Sequence, residues 1–100
     1  MTAYLISDVS VLDAQAFQEY RARAAPSIAQ HGGRYLARGG EIVPLEGAWH
    51  PSNIIVVEFP SLDKARAWYN SPEYAQALQF RDKALKRNMI FVDGYTAAPT

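Results

Sequence analysis

The spacing of apolar and polar residues divides the chain into short elements. Ala3 to Ser10 carries Tyr4, Leu5, Ile6 and Val9, with Val11 just beyond, and its loose alternation suits a strand buried on at least one face. Asp13 then stands where a helix N-cap belongs. Phe17, Tyr20, Arg21, Ala24 and Ile28 follow at steps of three or four, which predicts a helix with an apolar stripe and a basic stem beside it. Pro26 falls inside that pattern, so a bend or division is expected there, and His31-Gly32-Gly33 supplies a left-handed stop. Tyr35 to Arg38 reads as a strand. Gly39-Gly40 is either a tight turn or a bulge, and Glu41 to Gly47 reads as further strand that Pro44 confines to an edge. Asn53 to Phe59, with four consecutive β-branched residues, is the most strand-like segment. Ser61 can cap a second helix carrying Leu62, Ala65, Trp68 and Tyr69. Ser71-Pro72-Glu73 repeats the start signal, and a third helix is expected to about Asn88, with Tyr74, Leu78, Arg81 and Leu85 on one stripe. Ile90 to Tyr95 closes the chain as a strand.

Strand, helix, strand, strand, broken helix, strand is the split βαβ, ferredoxin-like order: an α+β fold with a four-stranded antiparallel sheet covered by helices on one face. Apolar residues occur on both faces of the strands, Ile54 and Val56 on one side with Ile55, Val57 and Phe59 on the other. One row would be wet in a monomer, so a homodimer packed through the open sheet face is expected, and it would account for a surplus of aromatic residues.

Composition narrows the class. One hundred residues, 49% hydrophobic, suit one domain spanning residues 1–100 with a thin stability margin. No apolar run approaches the roughly 18 residues of a membrane span, and no basic segment precedes an apolar one at the start, so a soluble, unexported, cytoplasmic protein is expected. The absence of cysteine excludes disulfides and thiol chemistry. Ten basic and ten acidic residues give no net field to draw in phosphate, which argues against nucleic-acid and anionic-membrane binding.

Familiar catalytic patterns are missing. His31 and His50 are not spaced as metal ligands, so no metal site is expected, and His31 suits a helix C-cap. There is no Gly-x-Ser-x-Gly elbow and no phosphate loop. The same topology serves RNA-recognition modules, but their aromatic third strand is replaced here by Asn53-Ile54-Ile55-Val56-Val57. What remains is a set of polar and aromatic residues in apolar settings. Arg38, ahead of two glycines, can clamp a carboxylate or pair with Glu46 or Glu58 across the sheet. Arg81 lies two helical turns from Tyr74 and either covers core carbon or adds an anion contact. Trp68 and Tyr74 flank the Ser71-Pro72-Glu73 corner, as core or as ligand walls.

Arg34-Tyr35-Leu36-Ala37-Arg38-Gly39-Gly40, Glu46-Gly47, Val57-Glu58-Phe59-Pro60-Ser61, Ala67-Trp68-Tyr69-Asn70-Ser71-Pro72-Glu73-Tyr74 and Arg81 together resemble the family called domain of unknown function 1330. The resemblance runs from Tyr4 to Gly94 and implies a protomer of the dimeric α/β-barrel superfamily. That superfamily includes cofactor-free antibiotic-biosynthesis monooxygenases, muconolactone isomerases and stress-responsive barrels. Carried over residue by residue, Arg38, Gly39, Gly40, Glu46, Trp68, Ser71, Pro72, Tyr74 and Arg81 occupy motif positions, and such residues tend to surround a pocket between helices and sheet. The stretch from Glu41 to Pro51 looks like an arm toward a partner.

Two functions compete. In the first, the protein binds or transforms a small aromatic or carboxylated metabolite without a tightly held cofactor. Its ligand contacts would then be Arg38, Gly39, Glu46, Trp68, Tyr74 and Arg81, with Glu46 or His31 carrying a proton. In the second, a non-catalytic dimer uses the same residues to hold its fold and interface.

Overall fold

The computed structural model describes residues 1–95. Its elements are β1 (Ala3–Val11), α1 (Ala14–Gln30), β2 (Arg34–Arg38), β3 (Ile54–Phe59), α2 (Leu62–Tyr69), α3 (Pro72–Leu78), the single turn α4 (Arg81–Ala84) and β4 (Leu85–Asp93). The strands form one antiparallel sheet in the order β2-β3-β1-β4, the ferredoxin-like arrangement. No helix among the described residues is long and apolar enough to cross a membrane.

Local signals place the helices. The Asp13 carboxylate accepts from the Ala16 N–H at 2.9 Å, opening α1, and the Ser61 hydroxyl accepts from Lys64 N–H at 3.1 Å, opening α2. Ser71 caps α3 by accepting from Tyr74 N–H at 3.1 Å while donating to the Trp68 carbonyl at 2.7 Å, so one hydroxyl ties the end of α2 to the start of α3. Pro26 does not divide α1, which runs unbroken beneath it. Its ring is exposed, and the carbonyl it leaves unbonded can be hydrated. His31 ends the helix, its Nδ1 2.9 Å from the Ser27 carbonyl. Gly33 follows because a Cβ there would come within 2.8 Å of the Phe59 ring and 2.7 Å of Ile28.

Two expected elements differ. Glu41 to Gly47 is not a strand. Arg38 already pairs with Ile55, and β3 begins one residue earlier at Ile54, so no partner remains for a chain continuing past Gly40. Gly39, at φ +72°, turns the backbone away, and the chain runs irregularly to Asn53. The third helix also stops well before Asn88. β1 is nine residues long and pairs over its whole length, from Ala3 with Asp93 to Val11 with Leu85, so residues 85–88 join the sheet instead. Their neighbours show the reason: Leu85, Arg87, Met89 and Phe91 alternate with Lys86, Asn88, Ile90 and Val92, a period of two that suits a half-covered strand.

The core lies between the helices and one sheet face. Leu5, Val9, Val57, Phe59 and Leu85 from the sheet meet Phe17, Tyr20, Ala24, Ile28, Trp68 and Tyr74 from the helices. The aromatic residues are used mainly here. Trp68 packs at a tilt 4.1 Å from Tyr74 and 5.5 Å from Phe59, between ring centroids, with Tyr69 and Phe91 in edge contacts. Of the aromatic residues on strands, only Tyr4 lies on the opposite face, so the aromatic surplus is core material rather than a sign of a partner. That opposite face is nonetheless apolar. Ala37, Val56, Ile6 and Ile90 form one row across it, with Tyr4 and Val92 in the next.

Candidate functional site

Between α1 and the sheet lies a cavity of about 140 Å³. Register determines which strand residues reach it. Leu5 and Val9 face the helices, so Ser7 between them does too, and the row across the sheet at that level is Arg38, Ile55, Ser7, Met89. Val9 pairs with Arg87 one step along, and Asn53 joins that level through its carbonyl, which accepts from Val9 N–H at 2.9 Å. Arg38 reaches this face through a bulge. Tyr35 pairs with Val57 and Ala37 with Val56, so Leu36 is the extra residue, and the positions after it change face. Simple alternation from Tyr35 would have turned Arg38 outward.

The cavity is lined by carbon from Leu5, Val9, Phe17, Ile55, Val57 and Trp68, and by polar groups from Ser7, Tyr20, Arg21, Tyr35, Arg38, Asn53 and Arg87. Three of these are guanidinium groups and none is a carboxylate. Among the described residues, none of the three arginines forms an ion pair; the acidic partners Glu19, Asp63, Asp82 and Glu58 go to Arg23, Arg66, Arg81 and Arg34 instead. Arg38 lies over the Tyr35 ring at 4.5 Å and Arg21 over Phe17 at 5.6 Å.

Arg87 anchors a hydrogen-bonded cluster behind the cavity. Its Nη1 donates to the Tyr20 hydroxyl at 2.7 Å and its Nη2 to the Tyr74 hydroxyl at 2.8 Å, and the two hydroxyls are 2.6 Å apart. Burial, together with Tyr20 alongside, pushes the Tyr74 phenol far above its ordinary range, so it keeps its proton. Burial works against the Arg87 cation, but the two tyrosines favour it more and its pKa is raised. Burial likewise raises Tyr35. Trp68 is fixed from the other side, its Nε1 donating to Ser27 Oγ at 2.9 Å while Ser27 donates to the Ala24 carbonyl at 2.6 Å. One buried polar atom in the region has no partner among the described residues: the Ser7 hydroxyl.

The structure therefore brings together some residues singled out from the sequence and separates others. Arg38, Gly39 and Trp68 line the cavity. Tyr74 stands behind it, fully buried, and touches it through Tyr20 and Arg87. Arg81 is elsewhere, on a shallow groove of about 780 Å³ along the free edge of β4, with Asp82 3.3 Å away. That groove meets the cavity at Leu5, Leu85, Arg87 and Met89. Glu46 lies on the exposed segment after Gly39 and lines neither space, and Glu58 pairs with Arg34 at 2.9 Å rather than with Arg38. His31 lines neither space. Among the described residues no cluster of three or more histidine, aspartate or glutamate side chains could hold a metal. Arg87, Tyr20 and Ser7 were missed as site residues. The period-two pattern after Leu85 was the available signal for Arg87, and Tyr20 was visible only as part of an apolar stripe.

A cavity that holds guanidiniums without carboxylate partners among the described residues, hydroxyls and an aromatic wall can bind an anionic ring and offer protons to its oxygens. The fold has solved counterparts. A protein of unknown function from Rhodopseudomonas palustris, RPA0582, has 17% identity and a TM-score of 0.77 over 96% of this chain and 84% of its own. SnoaB, a cofactor-independent oxygenase from Streptomyces nogalater, has 14% identity and a TM-score of 0.67 over 99% of this chain and 98% of its own. A dimeric protein of unknown function and ferredoxin-like fold from Bacteroides fragilis has 15% identity and a TM-score of 0.64 over 93% of this chain and 96% of its own. At these identities the likeness is one of fold. No curated protein matches the sequence. Residues 2–95, which carry the whole sheet, its helices and the cavity, match the domain of unknown function DUF1330, and the chain belongs to that family.

Proposed function

We propose that the protein binds a small single-ring or short-chain carboxylate in the cavity between α1 and the sheet, as a homodimer and without a tightly held cofactor. The observation that carries this reading is three arginines and no acidic side chain on one cavity lining. Arg38 stands at the exposed end of this lining and forms no ion pair among the described residues, so an entering carboxylate can take its charge-assisted hydrogen bonds without displacing another acid. Size limits the ligand: a cavity of roughly 150 Å³ takes one benzene ring, and the space here is about 140 Å³. The likeness to SnoaB, itself a cofactor-independent oxygenase, supports a fold able to host such chemistry unaided. The dimeric Bacteroides protein supports pairing of two copies, for which the open apolar face is available.

Benzoate is the simplest probe. Calorimetric titration of the wild type should give saturable binding. Arg38→Ala should weaken it by about tenfold or more, the loss expected for a charge-assisted hydrogen bond, and Arg87→Met, whose guanidinium is held at the other end on Tyr20 and Tyr74, should weaken it less. Arg81→Ala, in the separate groove, should leave it unchanged. Equal affinity in all four proteins would refute the reading.

A further inference from the structure

The hydrogen-bond count around Tyr20 and Ser7 leaves two hydroxyls facing the cavity with capacity to spare. The Tyr74 hydroxyl is fully buried, and among the described residues its one acceptor is the Tyr20 oxygen, 2.6 Å away. Either hydroxyl could donate, but Tyr20 alone of the two lines the cavity, so the direction that leaves neither proton without an acceptor once a ligand is bound is from Tyr74 to Tyr20. The high pKa of Tyr74 agrees, since it keeps the proton that it donates. Tyr20 oxygen then accepts from both Tyr74 and Arg87, and its two lone pairs are filled. Its own proton is left over, and Tyr20, unlike Tyr74, lines the cavity.

Ser7 arrives at the same place independently. Ser7 is 3% exposed and lines the cavity, and its hydroxyl has no hydrogen-bond partner among the described residues. A buried polar atom left unmatched in the protein signals a missing water or ligand atom. Ser7 is one strand from Arg87 and one register step away, which puts it beside the Arg87 and Tyr20 cluster. Arg38 lies in Ser7's own row with Ile55 between them. Two strand spacings, about 9.6 Å between backbones, therefore separate Arg38 from Ser7, a span that suits a ring lying across Ile55.

We propose that Ser7 and Tyr20 form an oxygen-recognising pair, and that the preferred ligand is a ring carboxylate carrying a second oxygen, hydroxyl or carbonyl, opposite its carboxylate. The carboxylate end of this assignment rests on the anion-binding reading above; the oxygen end rests only on the two hydroxyls. A site built to hydrogen-bond a ligand oxygen discriminates strongly against an analogue that lacks it.

Three probes separate the two ends by titration calorimetry: 4-hydroxybenzoate, the nearly isosteric 4-methylbenzoate, and 4-methylphenol, which has the oxygen without the carboxylate. The wild type should prefer 4-hydroxybenzoate over 4-methylbenzoate by about fivefold to tenfold, the size of one or two neutral hydrogen bonds. In Ser7→Ala that ratio should fall, and in Tyr20→Phe it should approach one, while 4-methylbenzoate binds both variants within about twofold of the wild type. Ser7→Ala removes an unmatched buried group, so it keeps the comparison valid even if Tyr20→Phe loosens the cluster. A wild-type ratio near one, or a ratio that survives both substitutions, overturns the oxygen pair while leaving anion binding standing. Binding of 4-methylphenol that is lost in Tyr20→Phe, with neither carboxylate bound, supports the pair and refutes the anion reading. No binding of any probe overturns both.

Discussion

Arg87 shows how a residue's role depends on the element that carries it. On a helix extending to Asn88 it would be one more basic residue in a charged stretch. On the inner face of β4 it becomes a half-buried cation answered by two phenol oxygens, with N–H groups left over from the five that a guanidinium offers. The period-two pattern around it marks the inner face of a strand, but nothing beside it in sequence announces its partners, because both tyrosines come from helices. Asp13, Ser61 and Ser71 were legible for the opposite reason, since capping joins residues three apart. The cluster also makes a pH prediction. An unfolded Tyr74 ionises near pH 10, whereas the folded one holds its proton well above that. Tyr74 therefore contributes undiminished stability below about pH 10, and the contribution is lost as pH rises beyond it, because ionisation favours the unfolded chain. Urea unfolding of the wild type should lose about 1.4 kcal/mol more per pH unit above that point than Tyr74→Phe does. Parallel curves for the two proteins would contradict the buried, protonated phenol.

At the scale of elements, the corner between α2 and α3 explains the motif Trp-Tyr-x-Ser-Pro-Glu-Tyr. Ser71 bonds to the last turn of one helix and the first turn of the next, and the rings of Trp68 and Tyr74 consequently meet at 4.1 Å. Pro72 at the first helical position costs no hydrogen bond there. Ser71→Ala should lower unfolding free energy by about 1 to 2 kcal/mol, the usual loss for a cap, and Ser71→Thr should restore part of it by keeping both the donor and the acceptor. Chemical denaturation measures both, and an alanine variant as stable as the wild type would show that the corner is held by packing alone. The strand order, the helices that cover the sheet and most of the core could be read from periodicity and caps. Two features could not. The bulge at Leu36 depends on how β2 meets β3, and a one-residue slip leaves no mark on composition. The end of α3 was overridden by the length of β1, whose full pairing needs nine residues of β4.

For the whole molecule, the uncovered sheet face is an apolar surface that the single chain leaves unexplained. Ile90 is 56% exposed and Val92 41%, beside Val56, Ile6 and Tyr4. A face of this kind is expected to be buried against a second copy. Sedimentation velocity should find the wild type dimeric and Ile90→Lys monomeric with an unchanged circular dichroism spectrum, since Ile90 already faces water in the single chain. A wild-type monomer, or a dimer indifferent to lysine at that position, would place the face outside any self-association. The cavity lies on the other side of the sheet, so ligand binding should not require the dimer. The central claim is that this cavity selects a carboxylate, and the most direct test compares benzoate with benzamide, which has the same ring and nearly the same shape but no charge. The account predicts that benzoate binds the wild type at least tenfold tighter and that the preference disappears in Arg38→Ala. Equal affinity for the two compounds, or tighter binding of the amide, would contradict it.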